Sequence, residues 1–564
     1  MGSGRASRPW LAITAVAASG GLVLAACSSS ETAGGNDGGG GDGGGQSQTT
    51  QVNQLEPDAT PKDGGKLTVA LTAETNGWNP GTAQWADAGE MAGPTMLEPL
   101  LNTTVDGSFE PVLATSVEPT TPGDFTSWTI EVRPDVTFHN GEPLDAEVVA
   151  RSLNFYAKEA PLSSLALSDK VDEAVAVDDM TVEVKLNVPW AAYPTVLSGA
   201  SGFIMANEML DSEDKGASSP IGTGPFEFSS WTQDKSLLVS KFDDYWQEGK
   251  PHLEEIEFRP IVDAKQRVEA LRAGDVEMIL TTRATDVAEL KGSYTVIVDW
   301  GSERTFVMLN TASDPAAAAP NPFENAHARK ALAYATNRDG VMELVSGGET
   351  LVSATSPLTG AFVMDDSQSG YVDFDQAKAR EEVELYKQET GATDLTFRFS
   401  GLANLEDQQI MQYLKQIWSE VGITAEIDTA EQTAYIGQLA GGRFEAAYFR
   451  NYGYLDPDSN YYFWSCDTAK GVGELSINFS QYCDDATQAA IDTGRTNPDL
   501  AERKTAYQEL TRARNDAVLD VWLFNTPYSV IAVPEVKGLN GLRQRPFGNF
   551  EPKAWLWPDV WLDR

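Results

Sequence analysis

The stretch Ile221-Gly222-Thr223-Gly224-Pro225-Phe226-Glu227-Phe228 opens the part of the chain whose reading decides the fold. It continues through Asp243-Asp244-Tyr245-Trp246, Gly249-Lys250-Pro251 and Glu257-Phe258-Arg259 to Arg267-Val268-Glu269-Ala270-Leu271-Arg272-Ala273-Gly274-Asp275. Gly222, Gly224 and Pro225 predict a tight turn. Phe226 and Phe228 alternate with polar neighbours, as do Ile256 and Phe258, which predicts strands with one buried face. Val268, Leu271 and Arg272 fall at helical spacing, and Gly274 stands where a left-handed C-cap belongs. Strand, strand, helix, cap is a piece of α/β core.

The order of these words resembles the extracytoplasmic solute-binding proteins of ABC importers, in the family-5 group that holds oligopeptide-, dipeptide- and nickel-binding proteins. That family shows a Gly-Thr-Gly-Pro-aromatic turn, a Tyr-Trp pair, Gly-Lys-Pro and an Arg-x-x-Ala-Leu-x-x-Gly-acidic run. The resemblance implies an α/β fold of the periplasmic-binding-protein type II: two mixed-sheet lobes joined by a hinge, with an additional small inserted α+β domain. It implies lobe I over 66–102, 221–305 and 526–564, the insert over 103–220, and lobe II over 306–525.

Residues 1–26 carry Arg5 and Arg8, no acidic residue, and an apolar run from Leu11 to Leu24, which reads as a secretory signal. It ends Leu24-Ala25-Ala26-Cys27-Ser28, which resembles a bacterial lipobox and implies that Cys27 is lipidated. Several acyl chains would hold the protein on the extracytoplasmic face of a membrane, at about 0.8 kcal/mol per buried CH₂. Residues 27–65 are rich in Gly, Ser, Gln and Thr and read as a disordered linker.

The formal charge of −42 becomes −44 once residues 1–26, with Arg5 and Arg8, are removed. Such a surface repels nucleic acid and anionic head groups, so it favours a covalent tether over a basic membrane patch. The roughly 500 residues that follow the linker exceed one ordinary core, so two or three domains are expected. Of three cysteines, Cys466 and Cys483 remain once Cys27 is lipidated. In an exported chain an even remainder suggests a disulfide, worth on the order of 3 kcal/mol in the entropic account.

Lys66 to Leu71 opens the folded body as a strand and leads to Trp78-Asn79-Pro80. By the resemblance, Gln84, Trp85 and Ala86 are candidates to touch solute; for Trp85 a core role stands equally open. Trp128 to Pro134 alternates as a strand, Asn140-Gly141 makes a hairpin turn, and Asp145 is a helix N-cap type. This segment resembles a second family signature, in which the histidine corresponding to His139 is structural.

Phe306 to Asn310 begins the second lobe, Ala328 to Ala335 reads as a helix, and Asp375 starts another. Leu395 to Phe399 and Thr424 to Ile427 read as strands around an amphipathic helix from Ile410 to Val421, and repeated βαβ units predict a mainly parallel sheet. Phe444 to Arg450 then runs into Asn451-Tyr452-Gly453-Tyr454-Leu455-Asp456-Pro457-Asp458. Asn451, Tyr452, Gly453 and Tyr454 are candidate cleft residues by the resemblance. The family's peptide binders place at the position of Gly453 an aspartate that pairs with the ligand's α-ammonium; its absence here puts recognition of a free N-terminus in doubt. Asp456 reads as a turn cap. The aromatic run Tyr461 to Trp464 reads as packing beside Cys466, with a stacking wall as the alternative. Leu500 to Ala517 is a helix, and Val521 to Phe524 and Tyr528 to Val533 are strands expected to rejoin the first lobe.

His139, His252 and His327 are the only histidines, and none stands in a metal-ligand spacing. No Gly-x-Ser-x-Gly elbow and no Walker A loop occurs, and no carboxylate pair stands out for acid–base work. The sequence thus names no catalytic residue, metal or cofactor, and the resemblance implies a monomeric binding protein. The resemblance implies that it hands a short peptide to ABC permease subunits served by a cytoplasmic ATPase. An oligosaccharide, a metal chelate or another small solute is the alternative cargo, and a surface sensor without a transport partner is the alternative role.

Overall fold

The computed structural model describes residues 49–52, 60–83, 85, 87–104, 106–161, 163–316, 319–451, 453–544 and 556–564. The leader, Cys27 and most of the linker segment lie outside them, as do Gln84, Ala86 and Tyr452.

Two larger sheets organise the fold. The first has eight strands, in the order Thr49–Val52, Thr295–Asp299, Tyr528–Ala532, Met278–Thr281, Lys66–Leu71, Glu255–Pro260, Ser236–Lys241 and Phe226–Thr232. Lys66–Leu71 runs parallel to both of its neighbours, and the remaining pairs are antiparallel. The second has five strands, in the order Ile423–Ala430, Leu395–Leu402, Ala446–Asn451, Arg304–Leu309 and Asp520–Asn525. A four-stranded antiparallel sheet is built from Ala114–Thr121, Asp124–Val132, Thr181–Leu186 and Val171–Ala176.

The expectation of a mainly parallel second-lobe sheet is corrected. Leu395–Leu402 is parallel to Ile423–Ala430 and to Ala446–Asn451, but Arg304–Leu309 is antiparallel to both of its neighbours. The two antiparallel pairs involve the strands by which the chain enters and leaves this sheet, so a crossing topology overrides the βαβ rule there. Asp520–Asn525 stays in the five-stranded sheet, within the 306–525 bounds implied for lobe II and against the separate reading of Val521 to Phe524 as rejoining the first lobe; of the two closing strands Tyr528–Ala532 alone returns to the eight-stranded sheet.

The linker expectation over 27–65 is also too long. Thr49–Val52 forms an edge strand antiparallel to Thr295–Asp299. β-branched residues suit a strand, and the open edge supplies main-chain partners that composition cannot show. The body is anchored before Lys66 as well: Gly64 donates to the His252 carbonyl at 2.8 Å and Lys62 pairs with Asp563 at 2.6 Å.

Helices begin where side chains cap them. Asp145 accepts from the Val148 amide, Asn325 from His327, Asp375 from Ala377 and Lys378, and Asp499 from Ala501 and Glu502. Each such cap satisfies an otherwise orphaned N–H and is worth about 1 kcal/mol. Gly274 closes the helix Ala264–Ala273 at φ 77°, in the left-handed conformation expected of it. One hydrophobic core runs without a break from the eight-stranded sheet (Leu67, Val69, Phe258) into the four-stranded sheet and the helix Ala146–Lys158 (Ile130, Val184, Leu153). Separate cores cover the two faces of the five-stranded sheet, around Val307, Phe399 and Trp418 on one and Phe306, Tyr507 and Trp522 on the other.

Candidate functional site

The turn at 221–225 is held by a buried polar knot. Glu98 is 1% exposed and its carboxylate accepts three hydrogen bonds: from the Thr223 hydroxyl at 3.0 Å, the Tyr245 hydroxyl at 2.7 Å and the Trp246 indole at 2.9 Å. Burial pushes its pKa up to about 7 despite those donors. His139 clasps the same turn, with Nε2 3.0 Å from the Gly224 carbonyl and Nδ1 accepting from the Gly222 amide at 3.3 Å. Burial pushes His139 down to about 4, so it is a neutral structural group. His252 meets Asp63 at 2.9 Å and His327 meets Glu382 at 2.6 Å. Among the described residues no cluster of three or more His, Cys, Asp or Glu is arranged to hold a metal ion.

The topology turns one edge of each large sheet toward the other. The chain passes from the first sheet to the second after Asp299 and back again after Asn525. Pairing register then sets which strand ends share each edge. On the first sheet they are Leu71, Pro260, Thr281, Asp299 and Tyr528. On the second they are Leu402, Ala430, Asn451, Arg304 and Asn525. In open α/β sheets the crevice beyond the carboxyl ends of the parallel strands is where ligands bind.

The two crossings are tied together. Thr305 and Thr526 hydroxyls meet at 2.8 Å, and the Thr526 amide donates to the Glu303 carbonyl at 2.9 Å. Asp299 accepts from the Gly301 amide at 2.9 Å. Arg304, 5% exposed, donates to the carbonyls of Ser356 at 3.0 Å and of Gly301 and Leu358 at 2.6 Å each.

Charged side chains line the facing edges. Arg283 of the first sheet's side reaches Glu406 on the second at 3.4 Å and Asp286 on its own helix at 3.4 Å. Arg450 meets the fully buried Glu303 at 3.3 Å. Burial raises Glu406 to about 7, Arg283 opposing the shift, and raises Asp407 to about 6 against the pull of Arg450. Four carboxylates thus face two guanidinium groups. The arrangement holds charge and joins two bodies; its elevated carboxyl pKa values follow from burial.

A profile of the family described as bacterial extracellular solute-binding proteins, family 5 Middle, matches residues 108–472. The chain belongs to that family. It is 24% identical over 440 residues to the glutathione-binding protein GsiB of Pectobacterium atrosepticum, an alignment covering 75% of this chain and 80% of that protein. The fold superposes on the periplasmic binding protein DppA of Helicobacter pylori, solved with the peptide STSA, with a TM-score of 0.75 at 22% identity over 89% of this chain and 99% of that one. It likewise superposes on NikZ of Campylobacter jejuni, solved with Ni(L-His), with a TM-score of 0.72 at 17% identity over 87% and 98% of the two chains. The fold is accordingly the two-lobed type II periplasmic-binding-protein architecture, and family-5 proteins of this kind are extracytoplasmic.

Within this family-5 protein the residues singled out from sequence separate into two places. Trp85 lies on the first lobe against Gly89 and Gly93, where any added Cβ would collide with its ring. Its indole donates to the Gly77 carbonyl at 3.2 Å and its ring meets Phe203 edge-on at 5.4 Å, yet it keeps partial exposure. Asn451, Gly453 and Tyr454 lie on the second lobe. Asn451 is 2% exposed at a strand end, with its Oδ1 lacking a hydrogen-bond partner among the described residues. Gly453 is buried, and the Tyr454 carbonyl accepts from Thr359. Asp456 caps the Asp458 amide at 2.9 Å and pairs with Arg503 at 2.7 Å, so it is committed to the turn. Tyr461 and Trp464 are core residues, and Cys466 is bonded to Cys483. The charged set Arg283, Glu303, Glu406 and Arg450 was not legible in the sequence. Asn404-Leu405-Glu406-Asp407 carries only the signal of a capped helix with an acidic first turn.

Proposed function

We propose that this family-5 protein is the solute receptor of an ABC importer and that its cargo is a short peptide, held between the lobes and released unchanged to a membrane permease. The observation that carries the reading is the pair of facing sheet edges joined by two crossings, with charged and polar side chains on both. A solute that touches both edges favours the closed arrangement over the open one, which is the only way a ligand shifts such an equilibrium. The ligands named for the relatives, glutathione and the peptide STSA among them, support a peptide.

In this reading lobe I comprises 66–102, 221–305 and 526–564, the insert 103–220, and lobe II 306–525. Gln84, Trp85 and Ala86 meet the solute from one side and Asn451, Tyr452, Gly453 and Tyr454 from the other. Gly453 offers no carboxylate, so the solute's amino end is held by hydrogen bonds or by the acidic residues farther along the edge. The protein works as a monomer, is not an enzyme, and is tethered through lipidated Cys27 outside the cell membrane; ATP is consumed by a separate subunit.

Mass spectrometry of the small molecule that co-purifies, followed by thermal melts with peptides, sugars and a nickel–histidine chelate, tests this. Binding to the folded form alone raises the melting temperature by mass action. A rise with peptides supports the reading, and a rise with sugars or chelates and none with peptides replaces it.

A further inference from the structure

Trp190 lies in the segment between the four-stranded sheet and the first lobe, yet it is sealed against the second lobe. Its side chain is 1% exposed, and its indole N–H donates to the Asp458 carboxylate at 2.7 Å. Arg495, 3% exposed, donates to the same carboxylate from Nε at 2.9 Å and from Nη2 at 3.3 Å. The guanidinium carbon lies 4.0 Å from the Trp190 ring centroid and 3.5 Å from that of Tyr461, so the cation is sandwiched between a ring from each body. The Ala192 amide donates to the Arg495 carbonyl at 3.1 Å, and Lys170 meets Asp467 at 3.5 Å farther along the same seam.

Asp458, Arg495 and Tyr461 all belong to the second lobe, so their mutual contacts survive if the bodies part. The Trp190 indole and the Ala192 amide are contributed by the other side. Parting them exposes a buried ion pair to solvent and strips one face of the cation of its ring, while closing restores a charge-assisted hydrogen bond and a desolvated cation–π contact. We propose that Trp190 is a latch: a positioning residue that sets how far the inserted segment stays closed on the second lobe and so biases the receptor toward its closed form. The inference rests on the hinged reading above.

Amide hydrogen exchange reads it without any solute, because the Ala192 N–H is protected only across the seam. The wild-type chain is compared with Trp190→Phe, which keeps an aromatic ring and removes the donor, and with Asp467→Lys. The Asp467 side chain is 66% exposed, so that change spares folding and sets two cations facing each other. Exchange at Ala192 should quicken roughly tenfold in Trp190→Phe and roughly twofold in Asp467→Lys. Val182 and Val307, inside the two bodies' sheets, should be unmoved. An unchanged Ala192 rate in a folded Trp190→Phe overturns the latch whatever Asp467→Lys does, as does a rise shared by Val182 and Val307. Should Trp190→Phe not fold, the Asp467→Lys result decides. Wild-type protection at Ala192 as deep as at Val182 and Val307 removes the hinge itself, a distinct failure.

Discussion

Glu98 and Trp246 meet at 2.9 Å, carboxylate oxygen to indole N–H, and this contact ties together words that lie 148 positions apart in the chain. With Thr223 and Tyr245 on the same carboxylate, it converts the Gly-Thr-Gly-Pro turn and the Tyr-Trp pair from separate motifs into one buried polar knot. Burial raises Glu98 from 4.5 to about 7, so the native state binds this proton more tightly than the unfolded chain does. The group's contribution is therefore fully present below about pH 4.5 and is lost as pH rises through about 7. Against Glu98→Gln, which cannot ionise, the wild-type chain should lose roughly 2–3 kcal/mol of relative stability between pH 5 and pH 8. Urea titrations at both pH values measure it, and a pH-independent difference contradicts the assignment.

Gly222 and Gly224 press against the backbone carbonyls of Met96 and Thr95, where an added Cβ has no room. Gly222→Ala and Gly224→Ala should each cost about 1–3 kcal/mol by forcing backbone apart. Gly123→Ala is an instructive comparison, because a Cβ there meets open space and its penalty comes from its positive φ alone. Urea midpoints should rank both turn substitutions as the more damaging.

Asp456 caps its turn and pairs with the buried Arg503. Asp456→Ala should cost about 3–5 kcal/mol, because it leaves a guanidinium without its partner in the interior. If Asp456 instead held the solute's amino group, the change would weaken solute binding and leave the melting temperature of the empty protein in place.

Much of this architecture was legible because it is local. The capping aspartates, the Gly274 terminus and the alternation of Phe226, Ile256 and Phe258 depend on residues a few positions apart, and the resemblance to family 5 supplied the two-lobed α/β fold. What escaped depends on partners distant in sequence. Thr49–Val52 is a strand because Thr295–Asp299 offers an edge, not because its own composition demands one. The antiparallel setting of Arg304–Leu309 follows from the crossings. Glu406 lies ahead of the helix read from Ile410, in the first turn of the observed helix Leu405–Ser419, and only the approach of Arg283 from the other body pairs it across the two sheets. Trp190 carried no signal at all, since a tryptophan in a loop does not reveal which carboxylate it will meet.

Leu24-Ala25-Ala26-Cys27 carries the anchoring proposal. Cys27→Ser should move the protein from the membrane fraction to the soluble extracytoplasmic fraction, and fractionation with immunoblotting reads the result directly. Persistence of the variant in the membrane fraction contradicts a lipid tether on this residue.

The central claim is that two bodies joined by two crossings shut on an unmodified cargo. Small-angle scattering of the purified chain, before and after stripping of its co-purified solute by mild denaturation and refolding, is the most direct test. The account predicts a smaller radius of gyration with solute than without, and a solute of unchanged mass on release. Identical scattering in both states, or a released molecule chemically altered by the protein, would contradict it.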